Sequence, residues 1–249
     1  MDLYRRQELH SHYLANLTPD HDEQVWRFVS ALTSQRIVMD WQPGKLSLAN
    51  LVEREKRLAG SANQNLEWKW YEALDMHGQL AAELNKAQYE ADDLEAFMAV
   101  EIDQLAMQDT QLKVHKANSF ADLSIVFGLQ EAVWQQPMSE RLQAAYESWL
   151  QDPQAVSYFW VDIDGQPVSS AWLGYTQKSQ FAGLWAGSTL PDCRGRGCYR
   201  ALINARAQEA KSRGIKYLTI DAAPTSEPIV ASLGFEAISR TRPYTISCQ

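Results

Sequence analysis

Apolar residues recur along this chain in two rhythms, one of about 3.6 residues and one of about two, and the switches between them outline the elements. Leu3, Tyr4, Leu9, Tyr13 and Leu14 fall on or near one side of a helix over residues 2–15. "QVWRFVS" and "QRIVMDW" read as strands, the second closed by the turn signal "QPGK". "SLANLVEREKRLAG" reads as a helix with Ser47 as its N-cap and Gly60 as its stop. "LEWKWYE" alternates large apolar with charged residues, which predicts a strand; a helix "HGQLAAELNKA" and a strand "AFMAVEID" follow. The polar, weakly patterned "QLAMQDTQL" then separates this series from a second one. Two domains are therefore expected, residues 1–108 and 109–249.

The second series opens with a strand "LKVHKA" and two helices, "FADLSIVFGLQEAVW" and "SERLQAAYESWL", the latter capped by Ser139 after Pro137. "VSYFWVDIDGQPVSSAWLGYTQ" predicts a hairpin, because Asp164-Gly165 supplies the positive φ angles of a tight primed turn. A strand "FAGLWAGSTLP" leads to a helix from about 198 to 212, ended by Arg213-Gly214. A strand "KYLTIDA", a short helix "SEPIVASLG" and a last strand "PYTIS" complete the chain. Residues 50–100 and 200–247 share the order helix, strand, helix, strand, the mark of a duplicated unit. The expected class is α+β: two domains, each a mixed, mainly antiparallel sheet flanked by helices.

Composition narrows the function. With 249 residues, 45% of them hydrophobic, and nine tryptophans, there is apolar material for real cores. A net charge of −8 argues against a general binder of phosphate backbones, which needs a basic face, so no nucleic-acid partner is expected. The charge suits a cationic or neutral small partner. Cys193, Cys198 and Cys248 form no CxxC pair, which points to a reducing compartment. The start, "MDLYRRQELHSHYL", lacks the apolar core of a signal peptide, and no window approaches ~20 apolar residues. A cytoplasmic protein without a membrane partner is expected. His10 and His12 stand two apart, a spacing that splays side chains on a helix, so no metal site is expected.

The chemistry concentrates in "PDCRGRGCYRAL", residues 191–202. A helix N-terminus carries unpaired N–H groups and about half a positive charge, so a glycine-rich turn before it forms an anion cradle. Gly195 and Gly197 let the backbone approach a ligand, and Arg194 and Arg196 add charge, a combination suited to a pyrophosphate. Neither common nucleotide motif fits: GxxxxGK[ST] is absent, and GxGxxG would need glycine at Arg200.

This stretch resembles the acetyl-CoA loop of the GNAT superfamily of N-acetyltransferases, [RQ]xxGx[GA], with Arg194 and Gly197 on the pattern and Tyr199 in place of its final small residue. The resemblance runs over roughly residues 112–249 and includes the short helix ending in "SLGF". The first half looks like a degenerate relative, with "WQPGKLSLANL" where a pyrophosphate loop would stand. The family likeness implies acetyl-CoA as acyl donor, held by Thr189, Leu190, Arg194, Gly195, Arg196, Gly197, Cys198 and Tyr199. It implies that "LWAGSTL" offers backbone groups to the pantetheine arm and thioester, Gly187 permitting a local splay. The reaction implied is direct transfer of acetyl to a primary amine, of a small molecule or a peptide, in a ternary complex. Tyr199 either narrows the cradle or points away from it.

The family's usual acid, a tyrosine four residues before the glycine of the "LGF" segment, is Val230 here, and Tyr244 is the substitute considered. All five histidines lie before the motif-bearing half or at its edge, which leaves carboxylates as bases. Glu131 ranks first, because the family lines its acceptor site with the turn between the first two helices; Asp221 ranks second. Trp134 and Trp185 are placed to line an acceptor pocket. Cys198, near a helix N-terminus, is considered as a covalent nucleophile. The alternative reading is a non-catalytic acyl-CoA-binding regulatory module, favoured by the missing tyrosine.

Overall fold

The computed structural model describes residues 1–5, 18–30, 34–75, 77–107, 110–176 and 178–247. Contacts divide the chain into two compact units, Met1–Met98 with Asp221–Ala231 and Glu236–Gln249, and Ala99–Ile220 with Ser232–Phe235.

In the first unit, α1 (Asp2–Tyr4) begins the expected amino-terminal helix, and Leu9, His10, His12, Tyr13 and Leu14 lie outside the described residues. Strands β1 (Thr18–His21), β2 (Val25–Ser30) and β3 (Gln35–Trp41) pair antiparallel in sequence. Helix α2 (Leu48–Ser61) crosses over to β4 (Asn65–Tyr71), which pairs parallel with β3. Ser47 caps α2 as expected, its Oγ accepting the Asn50 amide at 3.3 Å, and the helix runs past Gly60 to Ser61. Helix α3 (Gln79–Lys86), the short β5 (Glu90–Ala91) and β6 (Glu95–Glu101) follow. Val25, Val38, Leu51, Leu66, Trp68 and Leu84 form the core here.

The second unit contains an antiparallel run of β7 (Lys113–Lys116), β8 (Val156–Ile163), β9 (Gln166–Tyr175) and β10 (Phe181–Thr189). Asp164 and Gly165 have φ of 53° and 77°, the primed turn that the sequence predicts between β8 and β9. Helix α4 (Phe120–Trp134) starts at Ser119, whose Oγ accepts the Asp122 amide, and buries Leu123, Val126 and Phe127, each contributing about 1.5–3 kcal/mol. Helix α5 (Ser139–Gln151) follows; Met138 is its N-cap and Ser139 its first residue, so the expected Ser139 cap is off by one.

Helix α6 (Cys198–Ser212) crosses over from β10 to β11 (Tyr217–Ala222), and the two strands pair parallel. The β-α-β arrangement of β3, α2 and β4 thus recurs as β10, α6 and β11, the duplication that the halves of the sequence suggest. Helices α4 and α6 contact the same strands β8, β9 and β10, so they cover opposite faces of the sheet.

The remaining elements, α7 (Glu227–Ala231) and β12 (Glu236–Ile246), belong to the first unit, where β12 lies between β4 and β6. The last strand is longer than the "PYTIS" that its pattern predicts. The first unit's sheet order is β1-β2-β3-β4-β12-β6 with β5 on β12, and the second's is β11-β10-β9-β8-β7.

Candidate active site

The anion loop is built by its local chemistry. Pro191 opens a single 3-10 turn, Pro191–Cys193, closed by the Cys193 amide on Leu190 O at 2.9 Å and the Arg194 amide on Pro191 O at 3.2 Å. Gly195 at φ 74° and Gly197 at φ 83° then turn the chain through the left-handed region into α6. Gly197 is the N-cap and no side chain caps the helix, so the positive end of its dipole is left uncapped by the protein's own side chains.

The cradle is open. A Cβ at Gly195 would meet nothing within 4 Å, and one at Gly197 only Leu112 Cδ1 at 3.9 Å. Arg194, Gly195, Arg196 and Gly197 are exposed, and Arg194 Nε donates to Thr189 O at 3.3 Å. Thr189 Oγ1 lies 2.8 Å from Ser169 Oγ, and Leu190 packs half-buried against the second unit's core. Cys198 is buried; burial and the neighbouring Cys193 push its thiol up, against the pull of its own amide and Arg196. That environment is the reverse of an activated nucleophile's. Tyr199 turns its ring over Gly187, where a Cβ would lie 2.4 Å from the ring's Cε2. The glycine at 187 is thus needed for close approach of an aromatic ring.

Beside the loop, β10 carries a bulge. Trp185 pairs with Trp172 and Ser188 with Ser170, so Ala186 and Gly187 together face one residue of β9. Ala186 sits at φ 50°, a conformation that costs a non-glycine residue about 1–2 kcal/mol and persists only where its surroundings impose it. A buried network imposes it. Gln130 Nε2 donates to Ala186 O at 2.8 Å and to Ser170 Oγ at 2.9 Å, while its Oε1 accepts from Trp134 Nε1 at 3.1 Å and Ser188 Oγ at 3.0 Å. Trp134 Nε1 also reaches Ser188 Oγ at 3.0 Å, leaving the ring 58% exposed beside the bulge. The sequence points to Trp134 here but not to Gln130, whose signal is one amide on the otherwise apolar buried face of α4.

The proposed proton carriers are not gathered there. Glu131 is exposed, and its Oε2 accepts the Met138 amide at 2.9 Å, clamping the α4–α5 turn. Asp221 pairs with Lys69 at 2.8 Å inside the first unit. Tyr244 is buried in the first unit's core with Trp68 and Leu51, and Val230 is fully buried. Among the described residues no group of His, Cys, Asp or Glu is placed to hold a metal, and no helix is long and apolar enough to cross a membrane.

Residues 124–235 match the family model described as the acetyltransferase (GNAT) family. Over that stretch the chain is similar to GNAT-family acetyltransferases. The match spans the helix that supplies Gln130, the bulged strand, the glycine loop and the segment ending in Phe235. Solved structures share the fold across both halves of the chain. A GCN5-related N-acetyltransferase from Kribbella flavida is 14% identical with a TM-score of 0.70, covering 92% of this chain and 89% of that one. A functionally unknown conserved protein from Staphylococcus epidermidis is 10% identical with a TM-score of 0.71, covering 98% and 97%. A tandem GNAT protein from the clavulanic acid biosynthesis pathway is 13% identical with a TM-score of 0.62, covering 90% and 78%. No curated protein matches the sequence. The α+β class and the tandem arrangement stand as the sequence suggests, and the match over residues 124–235 supports an acyltransferase.

Proposed function

We propose that the chain transfers the acetyl group of acetyl-CoA to a primary amine by direct attack in a ternary complex. The observation that carries this reading is the open glycine cradle at the uncapped N-terminus of α6, flanked by Arg194 and Arg196. A pyrophosphate there meets the uncapped positive end of a helix dipole and two guanidinium groups. Cys198 and Tyr199 are the first residues of that helix, and Thr189 and Leu190 shape the strand end leading to the loop.

As the amine attacks, the acyl oxygen gains negative charge, and backbone amides fixed in advance are the cheapest stabiliser. The bulge at Ala186 and Gly187 supplies backbone outside the strand register for that purpose. An amine of pKa near ~10 must lose a proton first. Glu131, with one carboxylate oxygen committed to Met138, is the proposed base, passing the proton to solvent. The N–C bond forms, the attacking nitrogen gives up its second proton to solvent, the C–S bond breaks, and the thiolate of pKa about 8.5 leaves unaided. Val230 offers no proton, and Tyr244, packed in a core, is given none to move. The net charge of −8 and the exposed Trp134 ring favour a cationic amine, through long-range attraction and cation–π contact.

Calorimetric titration with acetyl-CoA, comparing wild type with Gly197→Arg, tests the reading. Saturable binding weakened at least about tenfold in the variant is expected, because the φ of 83° strains any side chain and the new one fills the cradle. Unchanged affinity overturns the cradle. Binding without thiol release over a panel of amines makes the protein a regulatory acyl-CoA-binding module instead.

A further inference from the structure

Arg206 is one of the largest fully buried side chains of the protein, at 1% exposure, in the middle of α6. It lies on the helix face of Cys198 and Leu202, at i+8 and i+4, so the face that begins at the glycine loop ends in a guanidinium. Nε donates to Leu202 O at 3.0 Å, and Nη1 donates to Trp172 O at 3.1 Å and Trp185 O at 3.4 Å. Those two tryptophans face each other as the last regular pair of β9 and β10 before the bulge. Nη2 is buried without a hydrogen-bond partner, and the partners of the other nitrogens are backbone carbonyls, with no carboxylate pairing the group among the described residues. Burial pulls the guanidinium down to about 10, the Tyr199 phenol opposing, so it is charged at neutral pH.

A buried cation without a counter-ion is a poor stabiliser, and an apolar side chain of similar length would fill the same space more cheaply. Its retention calls for another job. The geometry points to one: we infer that Arg206 is a positioning residue for acyl transfer, tying the donor-binding helix to the bulged strand. The inference rests on the acetyl-transfer reading above. A hydrogen bond to Trp185 O draws electron density through the Trp185–Ala186 peptide and makes the Ala186 N–H a stronger donor. The same bond fixes the height of the bulge against the helix whose N-terminus takes the pyrophosphate. Gln130 holds Ala186 O from the opposite face, so both sides of the bulge are anchored to helices.

The test uses Arg206→Met and Arg206→Lys in the full chain, with acetyl-CoA as donor and hydroxylamine, a small neutral nucleophile, as acceptor. Thiol release, donor affinity by calorimetry and Tm are read together. For Arg206→Met the expected result is a kcat lower by about 10- to 100-fold, a donor KM within about twofold of wild type, and a Tm unchanged or raised. Arg206→Lys keeps the charge without the planar fork and is expected to recover part of the lost kcat. A wild-type kcat in Arg206→Met overturns the inference, as does a parallel loss of Tm and donor affinity that accounts for the slower turnover. Should Arg206→Met not fold, Arg206→Lys decides, and a wild-type kcat there overturns it. A wild-type protein that binds acetyl-CoA and releases no thiol sinks the transfer reading and this inference together; normal turnover in every variant sinks the inference alone.

Discussion

The most quantitative expectation concerns the polar cluster of the first unit, where Glu67, Lys69, Glu95 and Asp221 share a neighbourhood. Lys69 and Asp221 pair at 2.8 Å, each side chain about nine-tenths buried, so the one cation is largely spent on Asp221. Burial pushes Glu95 up to about 7; Lys69 pulls it down, and Asp221, Asp92 and Asp93 push it further up. Glu67 is raised as well, again chiefly by burial. A carboxyl whose folded value exceeds its ordinary 4.5 binds its proton more tightly when folded. Its contribution is therefore present below about pH 4.5 and is lost as pH rises through about 7. At about 1.4 kcal/mol per unit the interval corresponds to ~3 kcal/mol, which partial exposure of Glu95 reduces to ~1–2 kcal/mol. Glu95→Gln removes the ionisation and keeps the shape. Urea unfolding followed by tryptophan fluorescence should find the variant close to wild type at about pH 4.5 and more stable by ~1–2 kcal/mol at about pH 8. A variant equally stable, or less stable, at the higher pH would refute the reasoning.

Two further substitutions bear on the site. Gly187→Ala drives a methyl group into the Tyr199 ring and should cost about 1–3 kcal/mol in thermal or urea unfolding, with Tyr199→Leu in the same chain recovering part of it; additive losses would show that the ring does not rest on Gly187. Glu131→Gln can still accept the Met138 amide, so it separates the turn clamp from the base. Acetyl transfer to an amine of pKa near ~10 should fall at least about tenfold at neutral pH with Tm unchanged, and full activity would take the base role from Glu131.

Most elements were legible because their causes are local. Ser47 announces a helix start, Asp164-Gly165 a turn, and the apolar run from Phe120 to Trp134 a helix with the bounds that its pattern gives. The glycine loop was legible for the same reason, since an αL turn before a helix is a short-range demand. The first part of β12 was not. Glu236, Ala237 and Ile238 are exposed, so no buried face marks them as strand. Gln130 and Arg206 were missed because each looks like a lapse in an apolar face until the strand opposite is known. Their partners, the carbonyls of Ala186, Trp172 and Trp185, are distant in sequence and carry no side-chain signature.

The last strand has a consequence for how such a chain can be divided. Ser232–Phe235 belong to the second unit and Glu236–Gln249 to the first, where β12 pairs with β4 from Thr241–Tyr71 to Ile246–Leu66. A fragment ending near residue 108 would lose that strand and leave the edges of β4 and β6 bare, an invitation to pair with other copies. The amino-terminal half is thus not a detachable module that recombination or truncation can move intact. Its sheet is completed only when translation reaches β12, and a stop codon anywhere in that strand damages the half of the protein made first.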